Sequence, residues 1–153
     1  MNAADLERFL HQHIPISSAM EISVVESSPA AVRLRASLAP NVNHRHTAFG
    51  GSVASLGILS AWSLLRVNLD GLDPLPHIVI QRTEVEYLDP IAEDFDARSL
   101  RPADDVWTRF LHSLTRRGKA RMKIGSELFV GDRRVGELRG SFVAFHGEPP
   151  RQD

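Results

Sequence analysis

Apolar and polar positions alternate along Val32 to Leu38, with Val32, Leu34, Ala36 and Leu38 on one side and Arg33, Arg35 and Ser37 on the other. That two-residue period predicts a half-buried strand. Met20 to Val25 reads as its partner, and Pro29 falls in the turn between them, so the two form a predicted hairpin. Ahead of them, Asp5 to His13 places Leu6, Phe9 and Leu10 at helical spacing, and Pro15 is expected to close that helix. Downstream, Ile78 to Leu88 predicts a long strand in which Val79, Gln81, Thr83, Val85 and Tyr87 share one face and Arg82, Glu84 and Glu86 the other. Ala92 to Leu100 follows as a shorter strand, with Phe95 and Ala97 facing alike. Asp104 to Arg117 carries an apolar stripe of Val106, Trp107, Phe110, Leu111 and Leu114, acids in its first turn and Gly118 as a cap, the signature of a surface helix. Ala120 to Val130 and Val135 to Phe145 complete the pattern as a hairpin around Gly131-Asp132.

One segment breaks the one-sided rule. From Gly50 to Val67 the chain can hold a helix, yet Val53, Leu56, Ile58, Leu59, Trp62, Leu64 and Leu65 fall all around its axis. A helix apolar on every side must be surrounded. In a chain of 153 residues the economical envelope is a curled sheet, so the element order predicts an α+β fold in which an antiparallel sheet wraps a long central helix. The length suits one domain, residues 1–147, with a disordered tail expected over 148–153, where Pro149-Pro150 lie.

Composition narrows the function classes. An apolar share of 42% and a charged share of 24% are those of a soluble globular protein. The absence of cysteine excludes thiol nucleophiles, disulfides and thiolate metal sites. A formal charge of -1 argues against general nucleic-acid binding, which depends on surplus Lys and Arg. The uncharged run from His46 to Leu65 is long enough to suggest a membrane span, but its three glycines and four serines suit a core helix better, and no span is expected. Met1 to Glu7 hold two acids and no basic leader, which points to the cytoplasm.

The candidate chemistry gathers between Asn41 and Ser52. A helix starting near Gly50-Gly51 presents unpartnered amides and the positive end of its dipole, an anion or oxyanion site that a ligand can approach closely because glycine has no Cβ. Thr47 is the expected N-cap, with Ser52 contributing locally. A plain glycine turn would explain the same pair, and Asn41 and Asn43 are also good turn residues. His44 and His46 lack a third ligand or an HExxH-like spacing, so no metal is expected. Neither G-x-S-x-G nor G-x-x-x-x-G-K-[ST] occurs, which removes the commonest serine-hydrolase and nucleotide-binding motifs.

The run Asn41-x-Asn43-x-x-x-Thr47-x-Phe49-Gly50-Gly51-Ser52, the helix to Trp62, and Tyr87-x-x-Pro90-x-x-x-Asp94-Phe95 resemble the signature of the YiiD C-terminal putative thioesterase family, from about Ile14 to Phe145. The resemblance implies a hotdog fold, a homodimer or dimer of dimers, and an acyl thioester substrate carried by phosphopantetheine, on acyl carrier protein or coenzyme A, with no further cofactor. It implies a catalytic set of Asn43, Gly50 and Gly51, and substrate contacts at Asn41, His46, Thr47, Phe49, Ser52, Tyr87 and Asp94. In related hydrolases of the phenylacetate-pathway type a His precedes the glycine pair and a carboxylate follows seven residues after it. Here Phe49 and Ile58 occupy those positions, and no Asp, Glu, Lys or Arg lies between Thr47 and Leu65.

Hydrolysis of a thioester needs an activated water or a covalent nucleophile. Decarboxylation of a malonyl thioester needs chiefly a donor set that stabilises an enolate. Some members of the resembled family are malonyl-acyl carrier protein decarboxylases, and the missing base favours that reaction. Hydrolysis stays open if Asp89, Glu93, Asp94 or His46 enters the site, as does a non-catalytic thioester-binding module; Ser55 and Ser60 are expected only to position groups. Arg116, Arg117, Lys119, Arg121 and Lys123 place five cations in eight positions, a face that would steer an acidic carrier or coenzyme A phosphates, or simply be solvated.

Overall fold

The computed structural model describes residues 1–147, so the tail expectation for 148–153 lies outside the described residues. Helix α1 (Ala3–His13) is capped by the Asn2 side chain, which accepts from the Asp5 amide at 2.9 Å. Pro15 does more than close α1: it is the first residue of a second short helix, α2 (Pro15–Ala19), where its missing N–H is no loss. The predicted start of β1 at Met20 moves to Ile22, because Met20 caps α2 and Glu21 takes a left-handed turn at φ 53°.

Strands β1 (Ile22–Ser27) and β2 (Ala31–Ala36) form the expected hairpin. After a 3-10 turn at Ala39–Asn41 comes the long helix α3 (Gly50–Leu69), then β3 (His77–Tyr87), β4 (Phe95–Leu100), α4 (Asp104–Arg117), β5 (Lys119–Val130) and β6 (Arg133–Phe145). All pairings are antiparallel, in the order β1-β2-β4-β5-β6-β3. This six-stranded sheet curls round α3 in a hotdog fold.

The envelope is deep but not complete. Leu56, Leu64, Leu65 and Leu69 of α3 are 0–1% exposed against the inner face of the sheet. Truncating any of these to alanine is expected to cost about 2–5 kcal/mol. Among α3 residues, by contrast, Gly51, Ser52, Ala54, Ser55, Ile58 and Trp62 keep partial exposure along one flank. Thus α3 is long and apolar enough to cross a membrane, but most of its apolar surface is spent on the sheet.

Strict alternation misassigns the start of β3. A bulge between Ile80 and Arg82 inserts Gln81, so Ile78 and Ile80 face inward before it while Thr83, Val85 and Tyr87 face inward after it. Val79, placed by strict alternation on the face of Val85 and Tyr87, therefore pairs with Val143 on the opposite, outer face and is 46% exposed. A one-residue insertion reverses side-chain parity, and alternation alone carries no mark of it.

Candidate active site

The loop before α3 is a closed structure of its own. Val42 bridges Ala48, with Asn43 N–H donating to the Thr47 carbonyl and Phe49 N–H to the Asn41 carbonyl, both at 2.7 Å. Within it the Asn43 side chain accepts from the Arg45 amide at 2.8 Å and, more weakly, from the Thr47 amide at 3.3 Å, and donates to the Thr47 hydroxyl at 2.9 Å. His46 turns the tip at φ 60° and stands exposed, as does His44. A second tie, Ala48 N–H to the Ile91 carbonyl at 2.7 Å, fixes the loop to the segment following β3.

That closure displaces the expected cap. The N-cap of α3 is Phe49, in an extended conformation and without a capping side chain, because the Val42–Ala48 bridge leaves Thr47 in the bend ahead of the helix, its hydroxyl accepting from the Asn43 amide. The Phe49 carbonyl accepts from both Ser52 N–H at 2.9 Å and Val53 N–H at 3.1 Å. The Ser52 contribution is thus its amide. Among the described residues, the amides of Gly50 and Gly51 have no acceptor. They form the open, positive end of a helix of 20 residues.

Two aromatic side chains frame this end. Phe49, 57% exposed, folds its ring over Gly51 so closely that a Cβ there would overlap it. Tyr87, 53% exposed, donates its hydroxyl to the Gly50 carbonyl at 2.9 Å. A shallow depression of about 300 Å³ opens beside them, bordered by Ala48, Val53, Tyr87, Asp89 and Ile91.

The remaining site candidates divide. Asn41 is only 2% exposed and donates to the Met20 and Ser37 carbonyls at 2.9 and 2.7 Å, so it anchors the loop from behind instead of meeting substrate. Asp94 is likewise engaged, accepting from the Leu38 amide at 2.8 Å and holding the turn after β2. Asp89 borders the depression but is ion-paired with Arg133 at 3.1 Å. Ser60 is buried in the core, its single hydroxyl within hydrogen-bond reach of the Ser99 hydroxyl and the Val32 carbonyl, far from a positioning role at the surface. Sequence reasoning missed the Tyr87–Gly50 bond and the Ile91 tie; both end on backbone carbonyls, which carry no residue signature.

The predicted basic face forms as expected in exposure. Lys119, Arg121 and Lys123 alternate outward along β5, next to exposed Arg116 and Arg117 at the end of α4. Among the described residues none of the five has an acid within ion-pair distance. Elsewhere on the outer sheet two cations share a counter-charge: buried Asp96 accepts from Arg33 Nε at 2.8 Å and Arg35 Nε at 2.7 Å. That hydrogen bond, with the charge of Asp96, holds the Arg35 guanidinium still more firmly in its charged form.

Comparison with known proteins agrees with this geometry. The family described as Putative thioesterase (yiiD_Cterm) matches residues 3–146. A putative thioesterase from Shewanella oneidensis superposes with TM-score 0.82 at 26% identity, covering 94% of this chain and 97% of that one. A protein of unknown function from Chlorobaculum tepidum TLS gives TM-score 0.88 at 21% identity, with 95% and 94% covered. The PaaI protein of the Escherichia coli phenylacetic acid degradation operon gives TM-score 0.68 at 13% identity, with 95% and 94% covered, a likeness of fold alone.

Proposed function

Because the chain belongs to the YiiD C-terminal putative thioesterase family, we propose that it acts on an acyl thioester and that its reaction is decarboxylation of a malonyl thioester to the acetyl thioester. The observation that carries this reading is a helix end with free donors and no acid or base on the helix beside them. Two free amides open at Gly50 and Gly51, while the exposed flank of α3 beside them, Ala54, Ser55, Ile58 and Trp62, bears no acid or base. In the step, the bond between the malonyl carboxylate carbon and C2 breaks, carbon dioxide leaves, and the electron pair moves through C2 onto the thioester oxygen. The two amides stabilise that oxygen; a proton from water then completes the acetyl group at C2. Removing one such donor typically costs about 10²–10³ in turnover.

Asn43 contributes by shape. Its amide is occupied by Thr47, so it locks the loop that delivers Phe49, and the oxyanion contacts fall to the glycines. Hydrolysis is the second reading, favoured by Asp89 at the edge of the depression, although Arg133 competes for its carboxylate. The test is to incubate the protein with malonyl, acetyl and medium-chain thioesters on acyl carrier protein and on coenzyme A, following mass and free thiol. Loss of carbon dioxide without thiol release is expected. Thiol release would sink the decarboxylase reading in favour of hydrolysis, and no turnover on any substrate would leave a binding module.

Two features bear on partners. The unpaired cations Arg116, Arg117, Lys119, Arg121 and Lys123 suit an acidic carrier protein or the phosphates of coenzyme A. Strand β3 is an edge strand bonded to β6 alone and exposes Val79, Ile80 and Tyr87, which favours burial against β3 of a second copy in a homodimer, the unit from which a dimer of dimers would build. Sedimentation equilibrium should return twice the chain mass at micromolar concentration; a monomer would refute the dimer.

A further inference from the structure

We infer that Tyr87 is a positioning residue for the donor pair: its hydroxyl orients and polarises the peptide group whose N–H is that of Gly51. The Gly50 carbonyl and the Gly51 amide are two ends of one planar peptide unit, so whatever grips the oxygen sets the direction of the N–H. Tyr87 grips it at 2.9 Å, from the last residue of β3, outside the helix. The restraint matters because the unit joins two glycines, the residues with the widest backbone freedom, at a helix start that no side chain caps. A hydrogen bond accepted at the carbonyl also draws electrons from the N–H and strengthens it as a donor.

The fold makes a specific provision for this contact. Were β3 unbulged, the inward set beginning with Ile78 and Ile80 would continue as Arg82, Glu84 and Glu86, and Tyr87 would face away from α3. The extra residue Gln81 reverses the parity and turns Tyr87 onto the helix end. The hydroxyl does not face a base: the Gly50 carbonyl is the partner it has, and the ring borders the depression beside Ala48 and Val53. Core packing alone does not explain the position, since the side chain is 53% exposed.

The inference rests on the donor-pair reading of the site, but its test separates the two. Tyr87→Phe removes one oxygen and leaves the ring. With a malonyl thioester as substrate, kcat is expected to fall about 2- to 10-fold, the share that one polarising bond adds to an oxyanion contact, while KM changes by less than about twofold. In the ¹⁵N-labelled protein without substrate, the Gly51 amide proton is expected to move upfield, with Gly57 of the same helix as the fixed reference. A Gly51 resonance that stays in place overturns the inference, as does a rise in KM at constant kcat, which would make Tyr87 a substrate contact. If the wild-type protein turns over no thioester, the donor-pair reading fails, and the Gly51 resonance still decides whether Tyr87 positions the peptide.

Discussion

Helices α3 and α4 both begin without a capping side chain, at Phe49 and Ala103, yet their first turns are opposites. In α4, Asp104 and Asp105 sit at the positive end, braced by Arg101 at 2.6 Å and Arg109 at 2.8 Å. In α3 the corresponding positions are two glycines and a serine, with no acid. A helix end left without either cap or counter-charge forgoes roughly 0.5–2 kcal/mol of available stability. The contrast teaches that α4 is finished for stability, whereas α3 is left open, as the proposed oxyanion site requires.

The largest effect is expected from closing that opening. In Gly51→Ala the new methyl overlaps the Phe49 ring, so ring and donor peptide cannot both keep their places. Turnover should fall by about 100-fold, on the scale of losing one oxyanion donor. Steady-state rates with a malonyl thioester, beside a thermal melt, check it. If the rate survives with the melt unchanged, the exposed Phe49 ring has given way, and neither its place nor the missing Cβ at Gly51 matters to the reaction.

The same contrast explains how far the residues could be read in advance. Helix α4 obeys local rules, with a stripe, first-turn acids and Gly118 at φ 66°, and its predicted bounds Asp104–Arg117 are those observed. The buried character of α3 was equally legible, because apolar residues on all sides require an envelope. What escaped were features set by chain closure. Thr47 has the chemistry of a cap, but the Val42–Ala48 bridge spends it on Asn43. Asn41 and Asp94 have the chemistry of site residues, but backbone groups at Met20, Ser37 and Leu38 claim them first. The bulge at Gln81 leaves no compositional trace at all.

A smaller and two-sided effect should follow from giving α3 what α4 already has. Ser52→Asp puts a carboxylate in the first turn of α3, where the dipole favours it by about 0.3–1 kcal/mol. For a chain of this size that is a rise in Tm of roughly 1–4 °C. The same charge repels the oxygen on which negative charge develops, so turnover should drop by about tenfold, the order expected for two charges about 3 Å apart and open to bulk water. A variant both more stable and less active would show that the open end is kept for function; gain or loss of both together would break the contrast.

The smallest effect lies at α4. Asp105 is held below the usual carboxylate range mainly by its hydrogen bond to Arg109, with the Val106 amide assisting. Because the folded state lowers this value, the folded protein prefers the ionised form. The stability linked to it is therefore fully present above about pH 4, the value for an unfolded aspartate, and is lost as pH falls through the lower folded value. Asp105→Asn removes that contribution. At pH 7 the variant should melt slightly below the wild type, by an amount limited by solvent screening of an exposed pair. As the pH falls from about 4 through the lower folded value the wild-type side chain becomes neutral as well, and the two melting curves should converge. Activity at pH 7 should be unchanged, since this helix end faces no donor. Curves whose separation does not shrink at all as the pH is lowered below about 4 would mean that packing, rather than charge, finishes the start of α4, and the opposition between the two helix ends would lose its electrostatic basis.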